Sequence, residues 1–110
     1  MTIPEFFDAL TAASAGGYRP YLVAQSCRQL IRLTSPRGDE HCPITAVYEH
    51  ATGQTFPPMA VYSTMHPLGL DPDDAYAIAA AADGRADDPR LRRQLLTALA
   101  LLDPVAPYRG

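Results

Sequence analysis

Cys42 follows His41 directly and precedes Pro43. Proline suits the first position of a helix, which places the thiol at the N-cap, where the positive end of the helix dipole favours a thiolate. A cysteine nucleophile also needs a base within hydrogen-bond reach. His41 is adjacent but projects in another direction, and His50 lies along the same expected helix, about 12 Å away by helix rise. Only His66 is left for the fold to bring to the thiol. The competing reading, a small buried hydrophobe, is the ordinary state of a free cysteine and is preferred.

Cys27, His41, Cys42, His50 and His66 are metal-ligand types, but no CxxC, HxxxH or HExxH spacing joins them. Nothing local preorganises a metal site, and no cofactor is expected. Asp71, Asp73 and Asp74 lack the loop spacing and terminal Glu of a calcium hand, and helix capping explains all three. There is no Gly-rich phosphate loop, no Gly-x-Ser-x-Gly and no pair of catalytic carboxylates. Gly16-Gly17 follows a helical pattern rather than a strand, so it does not read as a nucleotide cradle.

Charge is the other functional signal. The net charge of −3 is the balance of a neutral first segment to residue 42, a stretch from 43 to 84 at −5, and an end at +2. An acidic middle beside a basic end bears on partner choice, not on fold. Arg85, Arg90, Arg92 and Arg93 cluster at the start of the last expected helix, where the dipole disfavours cations. Such a placement hints at use by a partner. All nine cations are arginine, as GC-rich codon usage in a bacterium or one of its mobile elements would produce. Helix 72–82, turn 83–88 and helix 89–102 invite comparison with a helix-turn-helix, but the turn is long and the second helix too rich in leucine for a reading head. Tyr18, Tyr21, Tyr62 and Tyr108 fall in expected loops or ends, where flat apolar rings with a polar tip suit interfaces.

The elements that must position these residues are short, because eleven prolines and seven glycines break a chain of 110 residues. Thr2-Ile3-Pro4-Glu5 is a capping box that opens a helix over 3–14, with Ile3, Phe6, Phe7 and Leu10 buried and Gly16-Gly17 as the stop. Ile44, Val47, Tyr48 and Ala51 space a second helix over about 43–51, closed by Gly53. Met59 to Met65 has room for one or two further turns. Asp71-Pro72 starts an alanine-rich helix over 72–82, flat enough for another helix to approach closely. Asp88-Pro89 starts the last helix, whose Leu91, Leu95, Leu96, Leu99 and Leu102 form an amphipathic stripe turned inward. Residues 18–41 are the least readable part. Tyr21 to Ala24 reads as a short strand or an apolar loop, and Leu30 to Thr34 alternates as a strand does.

The fold class expected is therefore mainly α: one domain over 1–110, a compact bundle of four to five short helices with a small two-stranded hairpin around residues 21–34 at most, and a frayed tail over 105–110. Apolar residues at 47% supply a core, and no apolar run is long enough to span a membrane. The first residues carry no basic region and hold Glu5 and Asp8, which argues against a secretory signal and for the cytoplasm. Two cysteines make no disulfide framework.

The function expected is a small non-enzymatic protein-binding module that regulates or inhibits a bacterial protein or complex, in the manner of a phage- or mobile-element-encoded blocker of defence. Its contact residues would be Arg85, Arg90, Arg92, Arg93, Asp71, Asp73, Asp74 and Tyr62. The alternatives are a thiol-dependent enzyme using Cys42 and a nucleic-acid-binding regulator using the Arg85–Arg93 cluster, the latter disfavoured by the acidic balance.

Overall fold

A computed structural model describes residues 1–54, 68–85 and 89–101. Its elements in chain order are α1 (Ile3–Ala15), β1 (Arg19–Gln25), β2 (Arg28–Thr34), β3 (Glu40–His41), α2 (Pro43–Thr52), α3 (Pro72–Ala82) and α4 (Pro89–Ala98). The strands form one antiparallel sheet in the order β1-β2-β3.

The helix starts are where local chemistry puts them. Thr2 Oγ1 accepts from the Glu5 amide at 3.2 Å and the Glu5 carboxylate accepts from the Thr2 amide at 2.7 Å, closing the capping box of α1. Those same bonds hold the Glu5 carboxyl below its ordinary value. Asp71 caps α3 by accepting from the Asp73 amide at 2.8 Å. Cys42 fills the N-cap of α2, but its side chain makes no capping bond.

Helix ends are set by left-handed residues. At the end of α1 the Tyr18 amide donates to Ala13 and the Gly17 amide to Ser14, with Gly17 at φ +107°. A Cβ on the preceding Gly16 would come within 2.8 Å of His50 Nε2, the tip of an exposed side chain that would have to turn away. The same paired bonds end α3 at Gly84, where Arg85 reaches Ala80 and Gly84 reaches Ala81. They also end α4, where Leu101 reaches Leu96 and Ala100 reaches Thr97, with Ala100 itself at φ +57°. An alanine thus does a glycine's work, and α4 stops at Ala98 instead of running on to residue 102.

The sheet corrects the expected fold class. Among the described residues there are four helices and a three-stranded antiparallel sheet, an α+β arrangement rather than a mainly α bundle with a two-stranded hairpin. β1 and β2 pair along their whole length, from Arg19 opposite Thr34 to Gln25 opposite Arg28, around a two-residue turn at Ser26-Cys27. Ser26 is at φ +56°, which fits a type II′ turn. Leu33 and Thr34 then pair on their other side with His41 and Glu40.

Ile31 and Leu33 are fully buried and belong to the main core, where β2 packs against α2 and α3. α1 rests on α2 and α4, and α3 on α2 and α4. Phe6, Leu10, Ile44, Val47, Ile78 and Leu95 fill the centre, while Ile3 and Phe7 are only half-buried at its margin. Leu91 and Leu99 are buried beside Leu95, so the stripe of α4 faces inward as far as it is described; Leu102 lies outside the described residues. So do Met59 to Met65, Tyr62, His66, Tyr108 and the tail over 105–110. Among the described residues no helix is long and apolar enough to cross a membrane.

Candidate functional site

Three regions carry polar chemistry: a buried carboxylate under the sheet's end, an arginine beside β2, and the outer edge of β1.

Glu49, on α2, is 6% exposed. Its Oε1 accepts from the Tyr18 hydroxyl at 2.7 Å and sits 3.0 Å from Arg37 Nη2, which reaches in from the surface turn between β2 and β3. His41 Nε2 lies 3.5 Å from Oε2, but neither of those two atoms makes a hydrogen bond. The carboxylate therefore ties α2 to the residue before β1 and to the surface turn, with His41 of β3 beside it. Burial, reinforced by the bond to Glu49 and its charge, pushes the Tyr18 phenol up to about 12. Tyr18 is thus a buried residue of the core and not the loop ring that its position next to Gly17 and Pro20 suggests.

Cys42 sits near this cluster without joining it. Thr45 Oγ1 donates to the Cys42 carbonyl at 3.1 Å, and it also lies 3.2 Å from His41 Nδ1 and 3.6 Å from Cys42 Sγ. A hydroxyl has one proton, so Thr45 cannot donate to the Cys42 carbonyl, the imidazole and the thiol together. Thr45 Oγ1 thus contacts both the sulfur and the His41 ring, and no direct Cys42–His41 bond is formed among the described residues. His50, the other histidine of α2, meets the edge of the Tyr18 ring with centroids 5.8 Å apart. Among the described residues no group of three or more His, Cys, Asp and Glu side chains could hold a metal ion.

The arginines do not form one surface. Arg92 turns inward, and its guanidinium donates to the carbonyls of Ala81 at 2.8 Å, Ala82 at 3.3 Å and Gln29 at 2.8 Å. It satisfies the last carbonyls of α3 and, in the same reach, the edge of β2, a placement that the helix dipole favours. Arg85 is exposed and stands 3.4 Å from Asp83, which also holds Arg32 at 3.0 Å. Arg90 and Arg93 are exposed on α4; Arg93 borders an open groove of about 430 Å³ with Phe7, Asp8, Thr11 and Thr97. Asp71 and Asp73 are exposed and Asp74 half-buried at the opposite end of α3. A helix of eleven residues is about 16 Å long, so the acids and the arginines are separate patches.

The edge of β1 is the region sequence reasoning missed. The Gln29 carbonyl is taken by Arg92 and the Ile31 carbonyl by the guanidinium of Arg32, so odd-numbered positions of β2 aim their backbone groups away from β1. In the observed register their partners Ala24 and Leu22, and Pro20 opposite Leu33, must then aim outward on the other side. No described residue bonds to that side. Leu22 shares the core face with fully buried Ile31, yet it is 39% exposed; among the described elements α2 and α3 pack against β2. The sequence signal was Tyr21-Leu22-Val23, an apolar run without the alternation that would have fixed its faces.

Comparison with known proteins finds no match among protein families, curated proteins or solved structures.

Proposed function

We propose that this protein acts without turnover, as a protein-binding module whose contact is the open edge of β1. The observation that carries this reading is the asymmetry at that strand: seven residues in regular register, outward backbone groups at Leu22 and Ala24, and a large apolar side chain left in water. An edge of this kind is a template for an added strand, with main-chain bonds giving affinity and alternate side chains giving selectivity. Arg85, Arg90 and Arg93, and the acidic end of α3, remain as flanking charge that steers an approach rather than as its centre. A regulator or inhibitor of a bacterial complex would need no more than such a contact.

The test is affinity capture from a bacterial lysate with the wild-type chain and with Leu22→Lys in parallel. A stoichiometric protein held by the wild type and lost by the variant supports the reading. A protein held equally by both moves the contact to the charged patches, and the triple variant Arg85→Ser, Arg90→Ser, Arg93→Ser then locates it.

A further inference from the structure

We infer that the groove between α1 and α4 is a face on which two copies of this chain associate, about a two-fold axis that runs along the groove. The sign of its two walls carries the inference. α1 holds Glu5 and Asp8 and no cation, while α4 holds three arginines and no acid. Arg92 turns inward, so the exposed charge of α4 is that of Arg90 and Arg93. Asp8 and Thr11 stand on one wall of the groove, Arg93 and Thr97 on the other, with Phe7 and Ala98 half-buried between them. Thr11 Oγ1 lies 3.4 Å from the Ala98 carbonyl oxygen, and Asp8 and Arg93 come about one turn earlier on their helices, so the two charges flank the groove near one level. Yet neither forms an ion pair, with the other or with any described residue.

A face with one acidic and one basic wall is complementary to itself. Half a turn about an axis along the groove lays α1 of a second copy over α4 of the first, and α4 over α1. That rotation keeps each residue at its level along the axis, so Asp8 of each copy meets Arg93 of the other, twice by symmetry. Walls of a single sign would meet their like and repel. A foreign partner would have to bring both signs in the matching order, whereas a second copy brings them by construction. Phe7 and Ala98 supply the apolar strip nearest the axis, and Thr11 and Thr97 are small enough to let the helices approach. The charges lie at the rim, where they set orientation and salt dependence more than strength. No residue of this face belongs to the β1 edge, so the inference stands apart from the reading of that edge.

The test is sedimentation of the full chain from low to high micromolar concentration, at low ionic strength and again in about 1 M salt. A monomer–dimer equilibrium is expected, weakened severalfold by the salt. Asp8→Arg and Arg93→Asp each make the two charges of a copy alike in sign, and each should weaken the dimer about tenfold while melting near the wild type. Mixed together, the two single variants should form a heterodimer. The double variant Asp8→Arg, Arg93→Asp exchanges the walls and should regain the homodimer. Leu22→Lys should leave the equilibrium unchanged. A monomer at every concentration, a dimer that survives either single reversal, or a double variant no better than the singles overturns the inference. A dimer lost with Leu22→Lys moves self-association to the β1 edge and overturns it as well.

Discussion

The hairpin has two long edges, and the molecule treats them differently. Along β2, the carbonyls that face away from β1 are taken in turn by Arg92, Arg32 and the short strand β3, and Asp83 holds Arg32 in place. Along β1 nothing among the described residues does the same, and the core-facing side chain at its middle is left partly in water. Two guanidinium groups and a two-residue strand together take carbonyls along that edge. An edge that has no such device, in a chain that builds one a strand away, is the better place to look for a partner.

The contrast can be broken by variants, and the largest effect belongs to the closed side. Arg92→Ala leaves carbonyls of α3 and β2 without their charged donor and should cost about 2–4 kcal/mol in urea unfolding. Arg92→Lys should recover only part, since an ammonium lacks the planar fork that spans two segments. A much smaller cost for Leu22→Lys is required; if Leu22→Lys proves the more damaging to the monomer, the assignment of open and closed edges is reversed.

A second, pH-dependent effect comes from Tyr18, which anchors the start of β1 to Glu49. Its folded pKa is raised from 10.0 to about 12, so the folded state holds the phenolic proton more tightly than the unfolded chain does. That contribution is complete below about pH 10 and is lost as pH climbs toward 12. Chemical denaturation at about pH 9 and about pH 11, on either side of the unfolded value, should show the fall, and Tyr18→Phe should flatten it. Asp83→Ala, which frees Arg32 and Arg85 from a half-exposed carboxylate, should cost about 1 kcal/mol or less by thermal unfolding. Smallest of all, Leu22→Lys should change monomer stability by no more than about 0.5 kcal/mol, the range of an ordinary surface change.

What could be read from the sequence was what neighbours in sequence decide. Thr2 with Glu5, Asp71 with Pro72, and the stops at Gly17, Gly53 and Gly84 all act within one turn, and the helices they delimit were legible to within a few residues. The sheet was not, because its turn at Ser26-Cys27 carries none of the glycine or asparagine that marks a hairpin and its third strand is only two residues long. The end of α4 was hidden for the same reason, with an alanine in the left-handed position. Arg92 looked like surface charge because its partner Gln29 lies 63 residues earlier in the chain. In the sequence Glu49 is only one charge of the acidic middle, because Tyr18 and Arg37 reach it only in the fold.

The reach of Arg92 has a consequence for how the chain is made. During synthesis the hairpin emerges early, and the guanidinium that finishes one of its margins is added only when the final helix leaves the ribosome. Until then the nascent hairpin carries an open β1 edge and a β2 margin held only by Arg32 and β3, and an extended segment nearby can be recruited to either. Translation pausing or premature termination before residue 92 would therefore yield a sticky product, and prompt completion of the C-terminal helix is what retires half of that hazard.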